Sequence, residues 1–226
     1  MTFSLIARCA RTRQFGIVVS SSSIAVPARC GRWARANVGV VATQNITDPG
    51  LGALGLDLLA QGFGAQSVLD QIKAATPHAE FRQLAVLDGN GTTAYFSGVH
   101  TLGINAMQQG DGCLASGNML KHAGVPKAMV DRFLAIPGDA LAARLLAALR
   151  AGVDAGGEAG PVKSAGLLVV DRFSWPVADL RVDWHDDPVT ELERIWSVYA
   201  PQMADYIVRA VDPGSAPGYG VPGDPR

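Results

Sequence analysis

Apolar and polar positions at the start of the chain follow the pattern of two short strands. Residues 2–7 form one β-branched and apolar run and residues 15–19 a second, and the basic stretch Arg11 to Arg13 lies between them. This predicts a β-hairpin whose second strand ends in Ser20-Ser21-Ser22-Ser23. Residues 38–43 read as a buried strand running into Gln44-Asn45 and the turn Asp48-Pro49-Gly50. Helical spacing follows over 51–61, stopped at Gly62, and over 65–75, where Val68, Leu69 and Ile72 share a face. Strands at 81–87 and 92–97 flank the turn Asp88-Gly89-Asn90-Gly91; a further pair, 102–108 and 113–116, flanks Gly110-Asp111-Gly112. Residues 125–136 and 139–151 form two helices, the second expected to be capped by Asp139. A Gly-rich link, 152–160, leads to the apolar strand 164–170 and its neighbour 177–184. The last helix, 188–211, is broken at Pro201.

Runs of strands separated by helix pairs argue an α+β fold, with antiparallel sheets and helices outside them. Strands such as 38–42 and 165–170 are apolar throughout, so both of their faces are covered. Two sheets packed together between outer helix layers satisfy this. The expected organisation is one domain over residues 1–211 and a disordered Pro/Gly-rich tail over 212–226.

Composition narrows the function classes. Of the 226 residues 48% are hydrophobic and 17% charged, apolar enough to suggest surface buried between subunits. The last helix crowds Ile195, Trp196, Val198, Tyr199, Met203, Tyr206 and Ile207 into a short span, so a homo-oligomer built on it is expected. A net charge of -1 favours neither nucleic acid nor an anionic membrane, although several arginines cluster between Arg8 and Arg35. No apolar run approaches the ~20 residues of a membrane span, and no signal-peptide core is present, so the expected location is cytoplasmic. Cys9, Cys30 and Cys113 fit reduced thiols; Cys113 reads as a small strand residue before it reads as a nucleophile.

Thr2 follows the initiator Met. Thr is small enough for that Met to be trimmed, which would leave an N-terminal residue carrying both a hydroxyl and an α-amine of pKa near ~8. Such a residue holds a nucleophile and its general base together. The bland alternative is an ordinary strand Thr. A Ser-His-Asp hydrolase is disfavoured, because the chain has no Gly-x-Ser-x-Gly elbow. His185 among Asp183, Asp186 and Asp187 reads as a capping loop before Pro188, not a metal site; no metal and no cofactor is expected.

The segment Trp33-Ala34-Arg35-Ala36-Asn37-Val38-Gly39-Val40-Val41-Ala42-Thr43-Gln44 resembles an uncharacterised, mainly bacterial family, domain of unknown function 1028. The likeness continues in Met-Thr-Phe-Ser at the start, Arg82-Gln83, Gly117-Asn118-Met119-Leu120, Ser164-Ala165-Gly166-Leu167-Leu168 and Asp179-Leu180-Arg181-Val182-Asp183. That family is placed in the N-terminal-nucleophile (Ntn) hydrolase superfamily. The resemblance implies a four-layered αββα sandwich and amide-bond hydrolysis with Thr2 as nucleophile. It also implies a possible cell-wall peptide ligand class. Two departures stand out: Gly156-Gly157-Glu158-Ala159-Gly160 lacks the family's usual Arg, and Lys163 occupies the place of a Gln.

Around Thr2, Asn118 is the first candidate for an oxyanion donor, followed by Gln44 and Asn45. For each, the plainer role is a turn residue bonding nearby backbone. Ser20, Ser21 or Ser22 would return beside Thr2 if the hairpin pairs, and Ser22 is the preferred proton relay. Arg35 is a candidate to hold a substrate carboxylate, or to form an ion pair with Asp183 or another acid. The expected function is cleavage of a small amide, lactam or peptide-like substrate through an acyl-Thr2 intermediate. The alternative is a ligand-binding module that kept the sandwich without the chemistry.

Overall fold

The computed structural model describes residues 2–224; Met1, whose removal is invoked above, and the last two residues of the tail lie outside this range. β1 (Thr2–Arg8) and β2 (Phe15–Ser21) form the expected hairpin, in a register running from Phe3↔Ser20 to Arg8↔Phe15. A one-turn helix, α1 (Pro27–Cys30), leads to the short edge strand β3 (Ala34–Arg35) and to β4 (Gly39–Asn45). α2 (Pro49–Ala60) and α3 (Ala65–Ala74) are followed by β5 (Arg82–Asp88), β6 (Thr93–Ser97), β7 (Ala106–Gly110) and β8 (Cys113–Asn118). Then come α4 (Val125–Ala135), α5 (Leu141–Asp154), β9 (Ser164–Val170), β10 (Pro176–Val182), α6 (Pro188–Tyr199) and α7 (Met203–Val211).

The strands make two antiparallel sheets, one ordered β10-β9-β2-β1-β8-β7 and one ordered β3-β4-β5-β6. Strand alternation sorts their residues into layers. Phe3, Leu5 and Ala7 of β1 face α4 and α5, in a core shared with Met129, Phe133, Leu145 and Leu149. Ile6 points the other way, into an inter-sheet layer with Ile17, Val40, Leu87 and Leu114. On the far side of the second sheet, Val41, Leu84 and Val86 pack under Leu56, Val68 and Ile72 of α2 and α3. The layers therefore run helices, sheet, sheet, helices, as the strand and helix order predicts.

Three local expectations need correction. The strand expected from residue 102 starts at Ala106, because residues 98–105 cross from one sheet to the other. In that crossing the Leu102 N–H donates to Asn45 Oδ1 and the Leu102 carbonyl accepts from Met119. Asp139 does not cap α5: the helix begins at Leu141, its N-cap position is Ala140, and no side chain caps it. That end is held instead by buried Arg144, which donates to the Phe133 carbonyl and lies over the Phe133 ring. The strand expected to reach Trp184 ends at Val182. The helix break at Pro201 is present as a 3₁₀ turn between α6 and α7, and Asp187 caps α6 by accepting from the Thr190 N–H. The tail runs back over α7, where Arg209 donates to the Pro217 and Gly218 carbonyls.

Candidate functional site

The inter-sheet layer changes character along its length. At one end it is apolar; one strand turn toward the start of β1, the inward positions become Ser4 on β1, Ser116 on β8, Gln44 on β4 and Gln83 on β5, all buried. Groups this deep require partners. Ser4 Oγ donates to Gln44 Oε1 (2.8 Å), and Gln44 Nε2 donates to Gln83 Oε1 (2.8 Å) and to Ser116 Oγ (3.0 Å). Gln83 Nε2 donates to the Gly117 carbonyl at 3.0 Å. The network thus bonds the two sheets across their interface.

Two residues beyond Ser4, at the next inward position, the layer ends in Thr2. Its cross-strand partner on β8 is Asn118, and the β1–β2 register continued by one residue places Ser21 on its other side. Thr2 Oγ1 donates to Ser21 Oγ at 3.4 Å, and the Ser21 hydroxyl also accepts from the Ser23 N–H. Thr2 is only 4% exposed and Asn118 0%.

The direction of the Asn118 amide follows from the network. The Gly117 carbonyl can only accept, so Gln83 must turn its NH₂ toward it and its oxygen away. That oxygen then takes N–H groups from Gln44 and from Asn118 Nδ2 (3.2 Å). Asn118 Oδ1 is the end left over, buried and without a partner among the described residues. Asn118 therefore offers this site an acceptor, whereas the oxyanion role expected for it needs a donor.

Glu158 closes the same end. Gly156 and Gly157 adopt left-handed backbone angles (φ 106° and 55°) that a residue with a Cβ takes up only with strain, and they turn the chain so that Glu158 bridges to Leu120. The Lys121 N–H donates to the Gly157 carbonyl, and the Ala159 N–H to the Met119 carbonyl. Both Glu158 carboxylate oxygens accept from the Ser22 N–H at 3.2 Å. With its carboxyl bonded to the residue past β2 and its backbone bridged to the turn past β8, Glu158 spans the starting end of β1, which runs between those strands. Burial pushes its pKa up to about 7, against the pull of hydrogen bonds from Ser22. A recess of about 240 Å³ opens beside it, shared with Asp186 and Asp187.

The structure thus pairs Thr2 with Asn118, joins Gln44 to Asn118 only through Gln83, and separates the other expected residues. Ser22 bonds Glu158, not Thr2. Ser20 faces the opposite side of its sheet, where its hydroxyl donates to the Ser164 carbonyl at 3.0 Å. Asn45 uses both ends of its amide on loop backbone, at the Phe81 carbonyl and the Leu102 N–H. Arg35 lies at the other end of β4, paired with Asp57 at 2.9 Å and not with Asp183. Lys163 pairs with Asp186 at 2.5 Å. Cys113 is fully buried on the helix side, and burial pushes its thiol up to about 12. Among the described residues no group of three His, Cys, Asp or Glu side chains is placed to hold a metal, and no helix is long and apolar enough to cross a membrane.

Fold and site define an α+β protein of two antiparallel sheets between helix layers, with a buried polar centre at the start of its first strand. Residues 2–192 match the family of unknown function DUF1028, and the chain belongs to that family. It is similar to the crystal structure of a protein of the same family from Silicibacter pomeroyi, with a TM-score of 0.83 and 30% identity over 91% of this chain and 89% of that one. No curated protein matches the chain.

Proposed function

We propose that the chain is an Ntn-type amidohydrolase, acting in the cytoplasm on a small amide, lactam or peptide-like substrate. The observation that carries this reading is the setting of Thr2: a hydroxyl at the inner end of β1, between Ser21 and Asn118, with Glu158 across the strand end. Removal of Met1 would give Thr2 an α-amine. That amine takes the proton of the Thr2 hydroxyl as Oγ1 attacks the substrate carbonyl. The C–N bond breaks, the leaving amine carries the proton away, and an acyl-Thr2 ester remains. Water then cleaves the ester and restores the hydroxyl. Ser21 orients the Thr2 hydroxyl, and Asn118 Oδ1 suits an N–H of the amine or of the substrate amide. Two measurements test this. Intact mass should show Met1 missing, and an amide and lactam panel should give turnover that Thr2→Ala abolishes. Retained Met1 would sink the mechanism.

The binding-module reading, with a cell-wall peptide as one ligand class, draws support from two observations. Thr2 is buried, and the donor end of Asn118 is already engaged by Gln83. Trimmed protein that binds a panel member tightly without turning it over would decide for the module.

A further inference from the structure

A second cleft lies at the far end of the sandwich from Thr2, where edge strand β3 faces β9 and β10. Its volume of about 540 Å³ is in the range of small-molecule sites. The floor is apolar: Leu168 and Val170 of β9 come up from the inter-sheet layer. One wall is the β9–β10 connection, where the Phe173 and Trp175 rings stack 4.6 Å apart and 4° from parallel. On the opposite wall, Trp33 lies against Gly52 of α2 and its indole N–H is spent on the Arg29 carbonyl. The ring is thereby fixed in place.

The charge around this cleft is one-sided. Arg32, Arg35 and Arg172 line it with a single acid, Asp179. Asp57 neutralises Arg35, and Arg181 sits 3.3 Å from Asp179. Arg32 and Arg172 carry no ion pair among the described residues. Each instead lies over an aromatic ring of the same cleft, Arg172 4.7 Å from the centre of Phe173 and Arg32 5.6 Å from that of Trp33. Cation–π attraction of this kind draws the guanidinium group onto the ring while its N–H groups stay available to an anion. Flat aromatic walls, an apolar floor and two guanidinium groups are complementary to one kind of ligand.

We propose that this cleft binds a small planar anion, an aromatic or heteroaromatic ring bearing a carboxylate or phosphate. The ring would lie against the aromatic walls, and Arg32 and Arg172 would take the acidic group. The site is independent of Thr2 and of any chemistry there. The test is a tryptophan-fluorescence titration of the full chain with 1-naphthoate and with 1-naphthyl phosphate, confirmed by calorimetry. At least one probe should bind saturably, and 1-naphthalenemethanol and cyclohexanecarboxylate should bind about tenfold more weakly or not at all. The exposed double substitution Arg32→Gln/Arg172→Gln should weaken the binding about tenfold or more without changing the melting temperature, whereas Thr2→Ala should leave it as it was. No saturable binding of either probe would overturn the proposal. So would binding that the double substitution leaves intact, or binding equally strong for the neutral alcohol.

Discussion

Glu158 is the residue with the most to reveal in solution. The residue is 4% exposed, and burial raises the pKa of its carboxyl to about 7. A carboxyl with a raised folded-state pKa keeps its proton in the native protein over a pH range in which the unfolded chain has released it. Its contribution to stability is therefore fully present below the unfolded pKa near ~4.3 and is lost as pH rises through about 7, a fall on the order of 3–4 kcal/mol. Glu158→Gln keeps an acceptor for the Ser22 N–H and removes the titration. Denaturant unfolding at pH 5 and pH 8 should show the wild type losing stability across that step relative to Glu158→Gln. Equal slopes in the two proteins would contradict the buried, titrating carboxyl. Gln83 makes a second residue-scale test: it accepts from Gln44 and Asn118 and donates to Gly117. Gln83→Leu leaves those groups short of partners inside the sandwich, and unfolding should show a cost of about 2–4 kcal/mol. Neither residue stood out in the sequence as a site. A glutamate in a Gly-rich link looks like a solvated loop until the left-handed turn at Gly156–Gly157 folds it inward. The direction of the Asn118 amide depends on a carbonyl from another strand's backbone, which no local pattern encodes.

At the scale of elements, the sequence carried the order of the longer strands and helices, because periods of two and 3.6 are local properties; α1 and β3, four and two residues long, are too short to show either period and are missed by such a reading. Register was harder. Ser20, Ser21 and Ser22 are chemically alike, and a shift by one position moves a side chain to the opposite face of the sheet. Counting back from the closing pair Arg8↔Phe15 selects Ser21 as the neighbour of Thr2, but only once the extent of the turn is known. Helix ends show the same contrast. Asp48 and Asp187 cap their helices and Asp139 does not, although all three precede helical stretches. The difference is one residue of spacing: the capping oxygen must reach an N–H of the first turn, and α5 starts two residues after Asp139. Asp187→Ala should therefore cost about 1 kcal/mol and lower the melting temperature, while Asp139→Ala stays within about 0.5 kcal/mol of wild type. Equal losses for the two would contradict this assignment of the caps.

For the whole molecule, the accessible surface of 9869 Å² is close to the ~9800 Å² expected of a compact monomer of 23.6 kDa. The tail accordingly lies on the body, with Arg209 over Tyr219 at 4.0 Å. This bears on the oligomer expected from the crowded last helix. Ile195, Trp196, Tyr199, Met203 and Ile207 pack inward against the helix-side core, and the Tyr199 hydroxyl donates to the Val177 carbonyl. Most of the supposed surplus is thus consumed within the chain. Val198 and Tyr206 remain, 56% and 40% exposed, beside a shallow recess shared with Arg194 and Gln202. A contact between copies would have to centre on those two residues. It predicts a mass above 23.6 kDa by light scattering at micromolar protein, and a return to the monomer mass for Val198→Glu, which sets a charge in the middle of the patch. A monomer mass for the unaltered chain would remove the oligomer, and an assembly indifferent to Val198→Glu would move the interface off this helix.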